Sequence, residues 1–130
     1  MSTEGNKAVL RRLIEAVNTG NPSTLEKVVG ECYSADFVRH DGGPEGLHAG
    51  LEGAKQLLRE IPGASPDQRV IIEDLFAEGD KVATRLTAHG TWASTGKPFG
   101  GWTLTIRRFV NGKIAEEWEL GVFTEGGGAG

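Results

Sequence analysis

The side chains able to do chemistry in this chain are few and scattered. Glu117 and Glu119 flank Trp118 near the C-terminus, Arg85 and His89 lie in the apolar stretch 81–92, and His40 ends the stretch 36–40. In an extended segment alternate side chains share a face. Arg85, Thr87 and His89 then project together, opposite Val82, Thr84, Leu86 and Ala88. By the same rule Glu117 and Glu119 share a face opposite Glu116, Trp118, Leu120 and Val122. A carboxylate or imidazole beside an apolar wall is a candidate general base, and a guanidinium can hold negative charge that develops on a substrate oxygen. Histidine titrates near neutral pH without tuning, whereas a glutamate must be raised towards neutrality by desolvation.

Two readings of these faces stand side by side. Either they are solvated, and their charges are unremarkable, or they line a cavity beneath helices, where every buried charge needs a partner. His40 has the same two readings, structural or basic. His48 reads as a loop residue and Asp41 as the cap of a turn. No two histidines fall at i, i+4 on a helix or i, i+2 on a strand, so no metal site is expected. Gly42-Gly43-Pro44 and Gly100-Gly101 lack the strand-to-helix setting of a phosphate loop and read as turns.

Helices come first in the chain. Val9, Leu10, Leu13, Ile14 and Val17 form one face of a helix over 3–19, with Arg11, Arg12 and Glu15 opposite. Asn18-Thr19-Gly20-Asn21-Pro22 stops it, and Ser23 with Glu26 reads as a capping box opening a second helix through Val29. A short strand is expected over 36–41 and a third helix over 51–61. Strands follow over 68–77, 81–92, 101–110 and 113–123, with a tight type I′ turn at Asn111-Gly112. Helices followed by a meander of long strands predict one α+β domain over 1–125 and a flexible glycine-rich tail over 126–130.

The composition narrows the function. With 130 residues the chain suits a single core. Its formal charge of −4 and the absence of a basic stripe argue against nucleic acid. No apolar run reaches the ~20 residues of a membrane span, and no signal-peptide pattern opens the chain. A lone cysteine, Cys32, excludes an intrachain disulfide framework, so a reducing cytoplasm is the expected home. Trp102, Leu104, Ile106, Trp118, Leu120 and Val122 make one sheet face too apolar to stay wet, which predicts a homodimer through that face.

Four phrases in order resemble the SnoaL-like polyketide cyclases of the nuclear-transport-factor-2-like superfamily. They are the helix 9–21 (VLRRLIEAVNTGN), the stretch 33–41 (YSADFVRHD), the stretch 71–85 (IIEDLFAEGDKVATR) and the closing hairpin 111–119 (NGKIAEEWE). The resemblance spans about residues 5–123. It implies helices packed on a strongly curved antiparallel sheet around a cone-shaped pocket, and cofactor-independent acid–base chemistry such as an intramolecular aldol cyclisation. The ligand would be a small apolar or aromatic carbonyl compound. Glu119 takes the place of the cyclases' acid/base aspartate, His40 that of the ketosteroid isomerases' base, and Arg85 that of a frequent arginine. Thr87, His89, Thr105, Glu117, Trp92 and Phe99 are the expected substrate contacts. The carboxylate that epoxide hydrolases place two residues after the arginine is absent, since Thr87 stands there. Leu13 and Thr105 replace the isomerases' oxyanion-hole pair. A non-catalytic binding module and a hydrolase or isomerase of the same superfamily remain open as alternatives.

Overall fold

The computed structural model describes residues 2–40, 67–92 and 95–125, with side chains as far as residue 121. Two helices, α1 (Thr3–Asn18) and α2 (Pro22–Cys32), precede five strands: β1 (Tyr33–His40), β2 (Arg69–Glu78), β3 (Lys81–Thr91), β4 (Pro98–Val110) and β5 (Lys113–Glu125). The strands form one sheet in the order β1-β5-β4-β3-β2. The third helix expected over 51–61, His48, Asp41 and the tail 126–130 lie outside the described residues.

α1 begins at Ser2, whose side chain accepts a hydrogen bond from the Gly5 amide at 2.9 Å. The second helix starts earlier than the Ser23 cap implied. Asn21 is the N-cap, accepting from the amides of Ser23 and Thr24 at 2.9 and 3.2 Å. Pro22 follows at the first helical position, where its fixed φ and missing N–H cost nothing. Asn111 and Gly112 both have positive φ, 52° and 77°, as the tight hairpin between β4 and β5 requires.

The sheet is mixed. β2, β3, β4 and β5 are antiparallel neighbours, while β1 runs parallel to β5, pairing Arg39 with Glu117 and His40 with Trp118. One sheet face packs against the helices. Leu10, Leu13, Val17, Leu25 and Val29 meet Phe37, Val82, Leu86, Phe109 and Ile114 in a single buried cluster. In β2 the register slips between Ile72 and Asp74, so Ile72 lies opposite Leu86 while Asp74 lies opposite Arg85. That bulge moves an acid onto the outer face, beside the basic residue of β3.

The end of α1 is fastened to edge strand β2 by one side chain. Asn18 Nδ2 donates to the Val70 carbonyl at 2.8 Å, and its Oδ1 accepts from the Val70 amide at 2.7 Å. The carboxamide thus imitates a strand residue and satisfies both backbone groups at once. Asn18→Ala should lower stability by about 1–3 kcal/mol. Denaturant unfolding would measure the loss, and hydrogen exchange should show the Val70 amide losing protection.

Candidate functional site

Beneath the helices lies a cavity of about 130 Å³ with two unlike sides. Leu13, Ile14 and Val17 of α1, with Val70, Leu86 and Ala88 of the sheet, make it apolar. Tyr33, Arg39, Arg107, Glu117 and Glu119 make its polar floor. These side chains come from three neighbouring strands. β5 contributes the two carboxylates by alternation, while β1 and β4, on either side of it, contribute one guanidinium each.

The four charges interlock. Arg107 Nε lies 2.6 Å from Glu117 Oε1, with both side chains nearly inaccessible. Arg39 Nη2 donates to Glu119 Oε2, and Arg39 Nε lies 3.9 Å from Glu117 Oε2. Arg39 therefore bridges both carboxylates. Arg107 is held further by Thr105, whose hydroxyl accepts at 2.9 Å, and by Thr84 at 3.4 Å; the two hydroxyls also bond each other. Burial, the largest single influence, would lower the Arg107 pKa, but Glu117, Tyr33 and Glu119 together outweigh it, and the pKa is raised. The Tyr33 hydroxyl is also pushed up, first by burial and then by Glu117, so it stays neutral and remains a donor. Glu119 is the most open of the four, with its side chain 23% exposed.

The structure divides the expected site residues between the two faces of the sheet. Glu117 and Glu119 share the cavity face. Arg85 does not join them: it lies on the outer face, where Nε bonds Asp74 Oδ2 at 2.7 Å, and both side chains are close to half exposed. Thr87 and His89 follow it outward by alternation, because Val82, Thr84, Leu86 and Ala88 are the buried set. His40 is also outside. Its Nε2 lies 2.7 Å from Glu116 Oε2, and its ring stacks on Trp118 with centroids 5.3 Å apart. The Glu116 carboxyl is lowered below its ordinary value by the hydrogen bond from Arg108 and then by His40. His40, Arg85 and Glu119 all border the apolar groove on the outer face, but the Glu119 carboxylate bonds Arg39 and also lines the inner cavity, which His40 and Arg85 do not.

Thr105 is buried on the cavity face but reaches the site only through Arg107. Trp92 and Phe99 stack on each other at 4.5 Å and do not line the cavity among its described walls. Arg39, Arg107 and Tyr33 were missing from the sequence expectation. The signal for Arg107 was present: it alternates with Ile106 and shares a face with Thr103 and Thr105. Among the described residues no cluster of His, Cys, Asp or Glu could hold a metal ion, and no described helix is long and apolar enough to cross a membrane.

The family model for SnoaL-like polyketide cyclases matches residues 7–121, and the chain belongs to that family. Solved structures agree with the fold. IdmH of Streptomyces antibioticus, a candidate polyketide cyclase, is 28% identical, with 89% of this chain and 91% of that one covered and a TM-score of 0.73. AclR of Streptomyces galilaeus, a candidate hydroxylase, is 25% identical over 95% of this chain and 91% of that one, with a TM-score of 0.77. An epoxide hydrolase from Mycobacterium tuberculosis, of the LEH-like kind, is 18% identical over 92% and 84% of the two chains, with a TM-score of 0.72. No curated protein matches the sequence.

The buried pair makes a stability prediction. Arg107→Leu or Glu117→Leu alone should cost about 3–5 kcal/mol, because each strands a buried charge. The double replacement should cost clearly less than the sum of the two. Denaturation midpoints of the three variants measure this.

Proposed function

We propose that the cavity beneath the helices performs cofactor-independent acid–base chemistry on a small, largely apolar carbonyl compound, of the kind an intramolecular aldol cyclisation requires. The observation that carries this reading is Glu119. It is the most open carboxylate on the polar floor of a cavity whose remaining walls are largely apolar, and it accepts from the Arg39 guanidinium.

In this reading Glu119 removes a proton alpha to the substrate carbonyl. The electron pair of that C–H bond moves onto the carbonyl oxygen, giving an enolate while Glu119 becomes a neutral acid. Negative charge thus passes from the carboxylate to the substrate, and Arg39 is placed to follow it. Stabilising such an oxyanion is typically worth about 3–4 kcal/mol per good donor. Tyr33, neutral and buried beside Arg107, supports the same oxygen as a hydroxyl donor. After attack on a second carbonyl, protonated Glu119 returns its proton to the new alkoxide, so no cofactor enters the balance.

His40 and Arg85 are assigned to the outer face and left out of the chemistry. That face carries Phe76 and Leu120, 64% and 65% exposed, with Leu104, Ile106 and Trp118 between them. We propose that a second copy of the chain covers it, since an apolar sheet face of this kind is poorly suited to water. The buried thiol of Cys32 fits a reducing, cytoplasmic setting.

Proton abstraction is measurable without the natural substrate. In heavy water the protein should exchange the acetyl protons of 4-acetylbenzamide, a neutral enolisable ketone. Glu119→Gln should lower that rate about 10²-fold or more while leaving affinity near the wild-type value. Arg85→Ala should leave it unchanged. Unaltered exchange in Glu119→Gln would remove this residue as the base. For the dimer, sedimentation at micromolar concentration should give twice the chain mass, and Leu120→Glu should shift it to the monomer; a monomeric wild type refutes the interface.

A further inference from the structure

The cavity's charge balance points to a selectivity that the proposed chemistry does not by itself require. Among the described residues its walls carry four charged side chains, Arg39, Arg107, Glu117 and Glu119. Only Glu119 is needed as a base, and Arg39 donates to it. Glu117 is the most deeply buried acid described, 2% exposed, and it takes no part in the proton transfer. Burying an ionised carboxylate is costly unless it answers another charge.

We propose that Glu117 is a specificity-determining residue that makes the cavity refuse anionic ligands, by neutralising Arg107 and sharing Arg39. The inference rests on the reading of this cavity as the ligand site. Without Glu117, Arg107 would be a buried guanidinium held in place by Thr105 and Thr84 and opening onto an apolar chamber. Such an arrangement binds a carboxylate well. With Glu117 at 2.6 Å the guanidinium is already answered, and Arg39 already serves two carboxylates. A carboxylate ligand would bring a third negative charge against two positive ones, with little water to screen it. A neutral carbonyl compound meets no such penalty, and it can still accept a hydrogen bond from the neutral Tyr33 hydroxyl. The exclusion is specificity by an unfavourable contact with the wrong ligand.

The consequence for the substrate is concrete. The molecule taken by this site is uncharged at the end that meets the floor: a ketone, ester or amide rather than a free acid.

Two isosteric probes separate the possibilities, 4-acetylbenzamide and 4-acetylbenzoate, the second an anion at neutral pH. Binding is followed by the methyl resonances of Leu13, Ile14, Val17 and Leu86, with those of Leu104, Ile106 and Leu120 as controls for the outer face. The wild type should bind the carboxamide more tightly than the carboxylate, by roughly tenfold or more for one buried charge contact. Glu117→Gln keeps an oxygen facing Arg107 but removes the charge, and it should reverse the preference. Equal wild-type affinity for the two probes overturns the inference, as does a folded Glu117→Gln protein that still prefers the carboxamide. Should Glu117→Gln fail to fold, Arg107→Gln supplies the second arm: it leaves an excess negative charge, and discrimination against the carboxylate should widen. Binding of neither probe at the inner methyls would overturn the reading of the cavity itself, and this inference with it.

Discussion

Two guanidiniums and two carboxylates lie under the helices of a small domain, and each is tolerable only because the others are there. An isolated charge in such a place costs several kcal/mol or more. The sheet solves this by alternation and neighbour choice. Glu117 and Glu119 on β5 point the same way, and strands β1 and β4 on either side present Arg39 and Arg107 to them. β5 could not be flanked this way by a hairpin meander alone. Its second neighbour must be β1, brought back from the start of the sheet to run parallel to it.

The rest of the architecture supports that floor. α1 supplies the apolar roof, fixed at its end by the Asn18 clasp on β2. Thr84 and Thr105 leave Arg107 one orientation. The contrast between roof and floor gives the cavity chemical direction: in the proposed reading a ligand's apolar body faces α1 and its carbonyl faces the charges. Burial and partner choice also separate the roles of two similar acids two residues apart. Glu117 is locked between arginines, while Glu119 keeps an open edge towards the chamber.

Much of this was legible in the sequence. Period-3.6 spacing of Leu10, Leu13 and Val17 located α1, and Asn111-Gly112 located the hairpin that sets the β4–β5 register. Period-2 alternation placed Glu117 and Glu119 together and put Trp118 and Leu120 behind them. What alternation could not decide was which face of β3 turned inward. Arg85 and His89 had the residue types of a site, whereas Val82, Leu86 and Ala88 had those of a core, and the core requirement won. Arg39 was hidden for a different reason. Its partners lie 78 and 80 residues further along, reached by a parallel pairing that local pattern does not reveal. The Asn21 cap was passed over because the Ser23–Glu26 spacing imitates a capping box, although Pro22 already marked the first helical turn.

The central claim is that ligands enter the chamber beneath α1 and meet the Arg39–Glu119 pair, not the apolar groove on the outer face of the sheet. A crystal structure of the protein grown with a neutral aryl methyl ketone tests it most directly. The account predicts the ring against Leu13, Val17 and Leu86, with the carbonyl carbon's methyl group beside Glu119 and its oxygen towards Arg39 or Tyr33. Ligand bound only against Leu104, Ile106 and Leu120, with the inner chamber empty, would contradict it.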